Sequence, residues 1–187
     1  MDGHQKQREQ SAIMMENALF ALLEEKEFAA ISVSEIASRA DLARRTFYRL
    51  YQKKEDILHQ YFVRLCWEYR EACPVLENYD FSAIAGEYFG FWYRHRKRLL
   101  LLYKRGLANI LFREISGASR EVIQGRMGER AANGMELFVD YSAGGFLMLL
   151  HRWLENGMSG TPQAYAQKVC ASLRICIRPV AAEKNKM

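Results

Sequence analysis

Apolar residues recur along this chain at helical intervals of three and four, and no segment keeps a strand-like alternation over five residues. Met15, Ala18, Leu19, Leu22 and Leu23 form one stripe, which predicts an amphipathic helix from near Gln5 to Lys26. Val33, Ile36, Ala37 and Ala40 repeat the spacing over a shorter stretch that opens on Ser32, a good N-cap. Asp41-Leu42-Ala43 interrupts the period. The next helix buries Phe47, Leu50 and Tyr51 and leaves Arg44, Arg45, Thr46, Tyr48 and Arg49 facing outward. A long stripe then follows Lys53-Lys54, carried by Ile57, Leu58, Tyr61, Phe62, Leu65, Cys66 and Tyr69, until Pro74 breaks it. Downstream the same period predicts helices over 81–94, 97–112, 119–128, 130–156 and 162–177. Asn156-Gly157 is a helix stop, and Thr161-Pro162 supplies the N-cap and first-turn proline of the last element. The fold class is therefore all-α.

A short helix, a three-residue turn and a second helix carrying arginines and a tyrosine make a helix-turn-helix, whose second helix enters the DNA major groove. Charge sharpens this reading. The net charge of +5 is mild, but between residues 39 and 54 six basic residues stand against one acidic. Such a concentrated patch suits phosphate contact, because each neutralised phosphate releases counterions. Arg44 and Arg45 sit at the end of the helix that points into the groove, where arginine can pair with guanine O6 and N7. Ser34, early on the preceding helix, is either exposed surface or a further base contact. No Gly/Ser/Pro-rich linker follows. The fourth helix is itself the connector, giving a DNA-binding unit over 1–52 and a larger helical unit over 53–187.

From Ser32 to Leu58 the chain resembles the TetR family of transcriptional regulators. The family pattern hydroxyl-V-x-x-I-A-x-x-A-G-V-S-x-x-T-F/L-Y-x-x-F-x-x-K-E-x-L is followed throughout, with three departures. Asp41 replaces the turn glycine, Ala43 replaces the capping hydroxyl, and Arg45 stands where a small residue is common. The run Arg44-Arg45-Thr46-Phe47-Tyr48-Arg49, and more loosely residues 141–165, are similar to the subgroup that includes regulators of dihydroxyacetone-kinase operons. The resemblance implies that Thr46, Tyr48 and Lys54 contact backbone phosphates; Arg49 and Lys53 complete the expected DNA-binding set. It also implies a homodimer built on the last two helices, with Phe146, Leu149, Leu150, Trp153, Val169, Leu173 and Cys176 at the interface. The function implied is a ligand-responsive repressor on a double-stranded, pseudo-palindromic operator. The alternative is an activator, or a regulator controlled by a partner protein without a small-molecule effector.

The remaining features bear on the larger unit. Trp67, Tyr88, Phe91, Trp92, Phe112, Phe138 and Tyr141 either line an effector pocket between helices or form ordinary core. Arg94-His95-Arg96-Lys97-Arg98 reads as a solvated, positive turn, the other reading being a second nucleic-acid patch. Cys66, Cys73, Cys170 and Cys176 lack CxxC or zinc-ligand spacing and read as small buried thiols. His4, His59, His95 and His151 are scattered, and there is no Gly-rich phosphate loop or HExxH. No enzyme, cofactor or metal site is expected. The longest uncharged apolar run, Tyr141–Leu150, is far short of the ~20 residues of a membrane span, so the expected location is cytoplasmic.

Overall fold

The computed structural model describes residues 3–72, 81–110, 112–116 and 136–177, with side chains as far as Leu173. Six helices fill the N-terminal and central parts: α1 (Gly3–Glu25), α2 (Val33–Arg39), α3 (Arg44–Leu50), α4 (Glu55–Ala72), α5 (Phe81–Arg94) and α6 (Arg96–Lys104). Two long helices, α7 (Glu136–Glu155) and α8 (Pro162–Ile177), close the described chain. A single 3-10 turn, Phe28–Ala30, joins α1 to α2, and residues 108–110 and 112–116 are also helical. Among the described residues there is no strand.

Three helices end by the same device. The chain enters the left-handed region, so that two N–H groups fold back on the last carbonyls and satisfy groups the helix leaves orphaned. At α2 the residue is Asp41 (φ 53°), with Asp41 N–H on Ser38 O and Leu42 N–H on Ala37 O. At α6 it is Gly106 (φ 70°), and at α7 Gly157 (φ 66°). The Gly106 stop corrects the expected single helix over 97–112. Leu99, Leu102 and Ile110 all pack on or against the core, so the apolar period runs through the break and conceals it. The element expected over 119–128, and residues 130–135 of the next, lie outside the described residues.

Among the described residues one continuous apolar core runs from α1 to α8. Leu19, Leu22 and Leu23 of α1 share one cluster with Ile36, Ala37 and Phe47 and with Met15 and Phe62, and Phe20 lies edge-on to Tyr61 of α4. The most extensive helix pairing is α5 on α8. There the Trp153 ring of α7 lies parallel to Tyr165 at 4.8 Å and to Tyr93 at 5.5 Å, and its Nε1–H donates to Ser159 O at 2.9 Å. The indole thus buries its area without leaving its one donor unpaired.

Polar ties join α1 to the helices beyond the first unit. Glu16, buried on α1, accepts from Arg64 of α4 at 2.8 Å and from Arg98 of α6, which also donates to Asn17 Oδ1 at 2.6 Å. Past the end of α6, Arg105 Nε–H donates to Leu23 O at 2.7 Å, and its guanidinium also pairs with Glu27. A buried carboxylate is tolerable only with such partners.

Candidate nucleic-acid interface

Ser32 and Glu35 set the first helix of the motif. Ser32 Oγ accepts the Glu35 N–H at 3.2 Å, and a Glu35 carboxylate oxygen accepts the Ser32 N–H at 2.9 Å, which closes a capping box. Lys26 also pairs with Glu35 and, together with Ser32, holds its carboxyl down at about 2. Arg39 pairs with both carboxylate oxygens of Glu25, at 2.8 and 2.9 Å, tying α2 to α1. Ala43 occupies the N-cap of α3 with φ −66° and ψ 141°, and no side chain caps that helix.

Phe47 fixes the rotation of α3. It is fully buried and sits edge-on to Tyr48 at 5.4 Å, with Tyr51 on the other side at 5.4 Å. With Phe47 turned inward, Arg44, Arg45, Tyr48 and Arg49 are left on the exposed side, and Thr46 is half-buried. Tyr48 is 52% exposed. Arg44 lies 5.4 Å from its ring centroid and donates to its hydroxyl at 3.1 Å, so the two present one guanidinium–phenol edge. No carboxylate lies within ion-pair distance of Arg44, Arg45 or Arg49 among the described residues. Ser34 and Lys53 are exposed beside them.

Lys54 is placed differently from the phosphate contact expected of it. Its ammonium donates to Phe28 O at 2.6 Å, Ile31 O at 2.8 Å and Ala29 O at 3.3 Å, and sits 4.5 Å from the centre of the Phe28 ring. An ammonium has three donors, and all three are engaged by the 3-10 turn before α2. Asp56 accepts the backbone N–H groups of Gln52 and Lys53 at 2.9 and 3.0 Å, fixing the start of α4. The lysine clip leaves no trace in the periodicity; Glu35 went unread as the second half of the cap, although its spacing three residues after Ser32 is that of a capping box.

The residues expected at a subunit interface divide in two. Phe146, Leu150, Trp153 and Val169 are buried within the subunit. Leu149 and Leu173 are half-buried against the same core, and Leu149 O accepts the Tyr165 hydroxyl at 2.9 Å. The Cys176 side chain lies outside the described set. Helix α7 carries apolar groups around most of its circumference, so its period could not tell the inner face from the outer one. The outer face holds Leu137 (83% exposed), Tyr141 (75%) and Met148 (64%), with Gly144 and Gly145 between them. A Cβ added to either glycine would meet nothing within 4 Å.

The aromatic set is not brought together as one lining. Tyr88, Phe91 and Trp92 are buried around Tyr69, with ring centroids 5.1–6.1 Å apart. Phe112 packs on His151 at 4.8 Å, whereas Trp67, Phe138 and Tyr141 are exposed. Burial pushes the Tyr88 phenol far up, so it stays neutral. No helix among the described residues is long and apolar enough to cross a membrane.

Residues 17–61 match the sequence profile of the bacterial regulatory proteins of the tetR family. Nothing among the curated proteins matches the chain. Two solved structures share its fold. The first, Lin0861 from Listeria innocua, superposes with a TM-score of 0.71 at 14% identity over 94% of both chains. The second, the dihydroxyacetone kinase operon activator DhaS, gives 0.63 at 16% identity over 89% of this chain and 96% of its own.

Proposed function

We propose that this chain, a DNA-binding regulator of the TetR family, is a ligand-responsive repressor that binds a pseudo-palindromic operator as a homodimer. The observation that carries the reading is the outer side of α3. Arg44, Arg45, Tyr48 and Arg49 stand in solvent on a helix locked by Phe47, with no carboxylate competing for the cations. Arg44 and Arg45 read base edges at the start of the recognition helix; Thr46, Tyr48, Arg49 and Lys53 hold phosphates, with Ser34 on the neighbouring helix. Lys54 contributes by fixing the turn on which α2 rests.

A dimer forms on the outer face of α7, through Leu137, Tyr141 and Met148, where Gly144 and Gly145 let a partner helix approach closely. Two recognition helices then lie about one DNA turn apart. Residues 1–52 act as the DNA-binding unit and 53–187 as the dimerising, effector-binding one. An effector that prefers a different spacing lowers operator affinity by its difference in affinity for the two states.

Activation is the second reading, favoured by the name of one structural neighbour, an operon activator. Gel-shift titration against DNA upstream of the gene, followed by transcription in vitro from the same fragment, tests both readings. Retarded DNA with reduced transcript supports repression, and retarded DNA with increased transcript supports activation. DNA that runs free at low salt overturns the DNA-binding role itself.

A further inference from the structure

Between α4 and the turn joining α5 to α6 lies an open cleft of about 500 Å³, well away from the α3 surface in sequence and lined by different side chains. Its walls include Arg64, Arg94, Arg96, Lys97 and Arg98, and also Glu68. Counting the buried Glu16 behind Arg64 and Arg98, five cations face two carboxylates. The ion pairs are unevenly shared. Arg64 and Arg98 hold Glu16, and Arg64 also lies 3.5 Å from Glu68. Arg94 leans over the Phe91 ring at 5.2 Å, and Arg96 lies over Tyr93 at 4.3 Å while donating to its carbonyl at 3.2 Å. Lys97 is exposed. None of Arg94, Arg96 and Lys97 has a carboxylate within ion-pair distance among the described residues.

The backbone adds to the imbalance. The first turn of α6 is Arg96-Lys97-Arg98, with no acidic residue in it, and its N-cap His95 makes no side-chain cap. The start of α6 carries partial positive charge and free N–H donors, offset in part by the carbonyls that end α5 one residue earlier, where Arg96 meets Tyr93 O. Three in a row, beside two further arginines, is an arrangement that an anion in the cleft would relieve. Burial pushes the His95 imidazole down, Glu68 opposes this, and Arg94, Arg98 and Arg64 push it further down. His95 therefore adds no charge of its own near neutral pH.

We propose that this cleft binds a small organic dianion, a phosphate monoester or a dicarboxylate, through Arg94, Arg96, Lys97 and the first turn of α6. Guanidinium forks and helix N–H groups match the oxygens of either group, and the volume suits a metabolite rather than a macromolecule. The bound anion shares Arg64 and Arg98 with Glu16, and Glu16 belongs to α1 of the DNA-binding unit. Binding thus loosens the tie between α1 and helices α4 and α6. Only this last consequence rests on the proposed regulatory role; the binding itself does not.

The test uses the full chain without DNA. Thermal melts and calorimetric titrations are run with millimolar glycerol 3-phosphate, inorganic phosphate and succinate, each against sodium chloride at equal ionic strength. At least one dianion should raise the melting temperature above the chloride control. A preference among the three separates the phosphate source from the carboxylate source. The double variant Arg96→Gln/Lys97→Gln should weaken that binding by roughly tenfold per charge removed. Glu16→Gln should tighten it, because Arg64 and Arg98 then lack their competing carboxylate. If no dianion exceeds chloride, or if the effect is unchanged in Arg96→Gln/Lys97→Gln, the site is refuted. That double variant decides the matter even if Glu16→Gln fails to fold. Gel shifts with and without the best dianion then report on regulation separately.

Discussion

Removing the Lys54 ammonium should unfold the DNA-binding unit sooner, whereas removing the arginines of α3 should leave stability alone. Lys54 donates to three carbonyls, two of them part-buried, at 2.6, 2.8 and 3.3 Å. A hydrogen bond from a charged group is worth about 1.5–3 kcal/mol, and leaving buried acceptors unpaired adds to the loss. The freed rotamers of an ordered lysine return up to ~2 kcal/mol, so Lys54→Ala should cost about 2–3 kcal/mol net. For a chain of this size that lowers the melting temperature by roughly 5–10 °C. Lys54→Met keeps the stem over Phe28 but loses every donor, so it should retain only the packing share. Arg45→Ala and Arg49→Ala remove exposed groups without ion pairs and should change stability by less than about 0.5 kcal/mol. Calorimetric melts of the four variants, with anisotropy titrations on a labelled operator, give both quantities. Lys54→Ala should lose most of its binding defect under conditions that keep it folded. A Lys54→Ala protein with unchanged melting and a large uniform loss of DNA affinity would refute the clip and restore a phosphate contact.

Five further outcomes rest on the same geometry. Met148→Glu should abolish the proposed dimer without loss of helical circular dichroism, since a two-fold axis there would bury the new charge twice. Leu150→Ala should instead destabilise the subunit by about 2–5 kcal/mol, and sedimentation velocity beside melting curves separates the two. Operator affinity should fall by about 10³–10⁵ between roughly 50 and 200 mM salt if six to ten phosphates are held; a flat salt plot excludes that mode. Arg44→Ala or Arg45→Ala should relax preference at one base position per half-site, at a cost of about 1–3 kcal/mol, as read by binding-site selection. Glu35 titrates near 2, below its ordinary 4.5, so its contribution is present above about 4.5 and lost as pH falls toward 2. Acid titration of helical signal should therefore be less steep in Glu35→Gln.

The helix-turn-helix was legible because its rules are local. Ser32 reads as an N-cap, Asp41 is a residue that accepts φ 53°, and Phe47 marks the inward side of α3. The all-α fold was legible from period alone. What escaped depends on long-range geometry. Lys54 reaches back to a turn more than twenty residues earlier, and Glu16 meets an arginine far downstream; no spacing encodes either meeting. On α7 the failure has another cause. Apolar residues surround the helix, so a hydrophobic period exists but its phase does not, and Leu150 and Trp153 turned inward where the outer face was expected. Gly106 was visible, yet a lone glycine within a continuous stripe does not announce a left-handed stop.

The sharing of α4 between both parts of the core bears on how chains of this fold can be recombined. Phe20 lies edge-on to Tyr61 at 5.0 Å, and Met15 and Leu19 share their cluster with Ile57, Leu58 and Phe62. A chimera joined at residue 52 would therefore expose the underside of α1 and supply a foreign helix to cover it. Even one joined after Ala72 would separate Glu16 from Arg98, and the α1 carbonyls from Arg105. The transplantable module is larger than the DNA-reading unit. It runs at least through Arg105, and because α5 packs most extensively on α8, a cut there would open that pairing in turn.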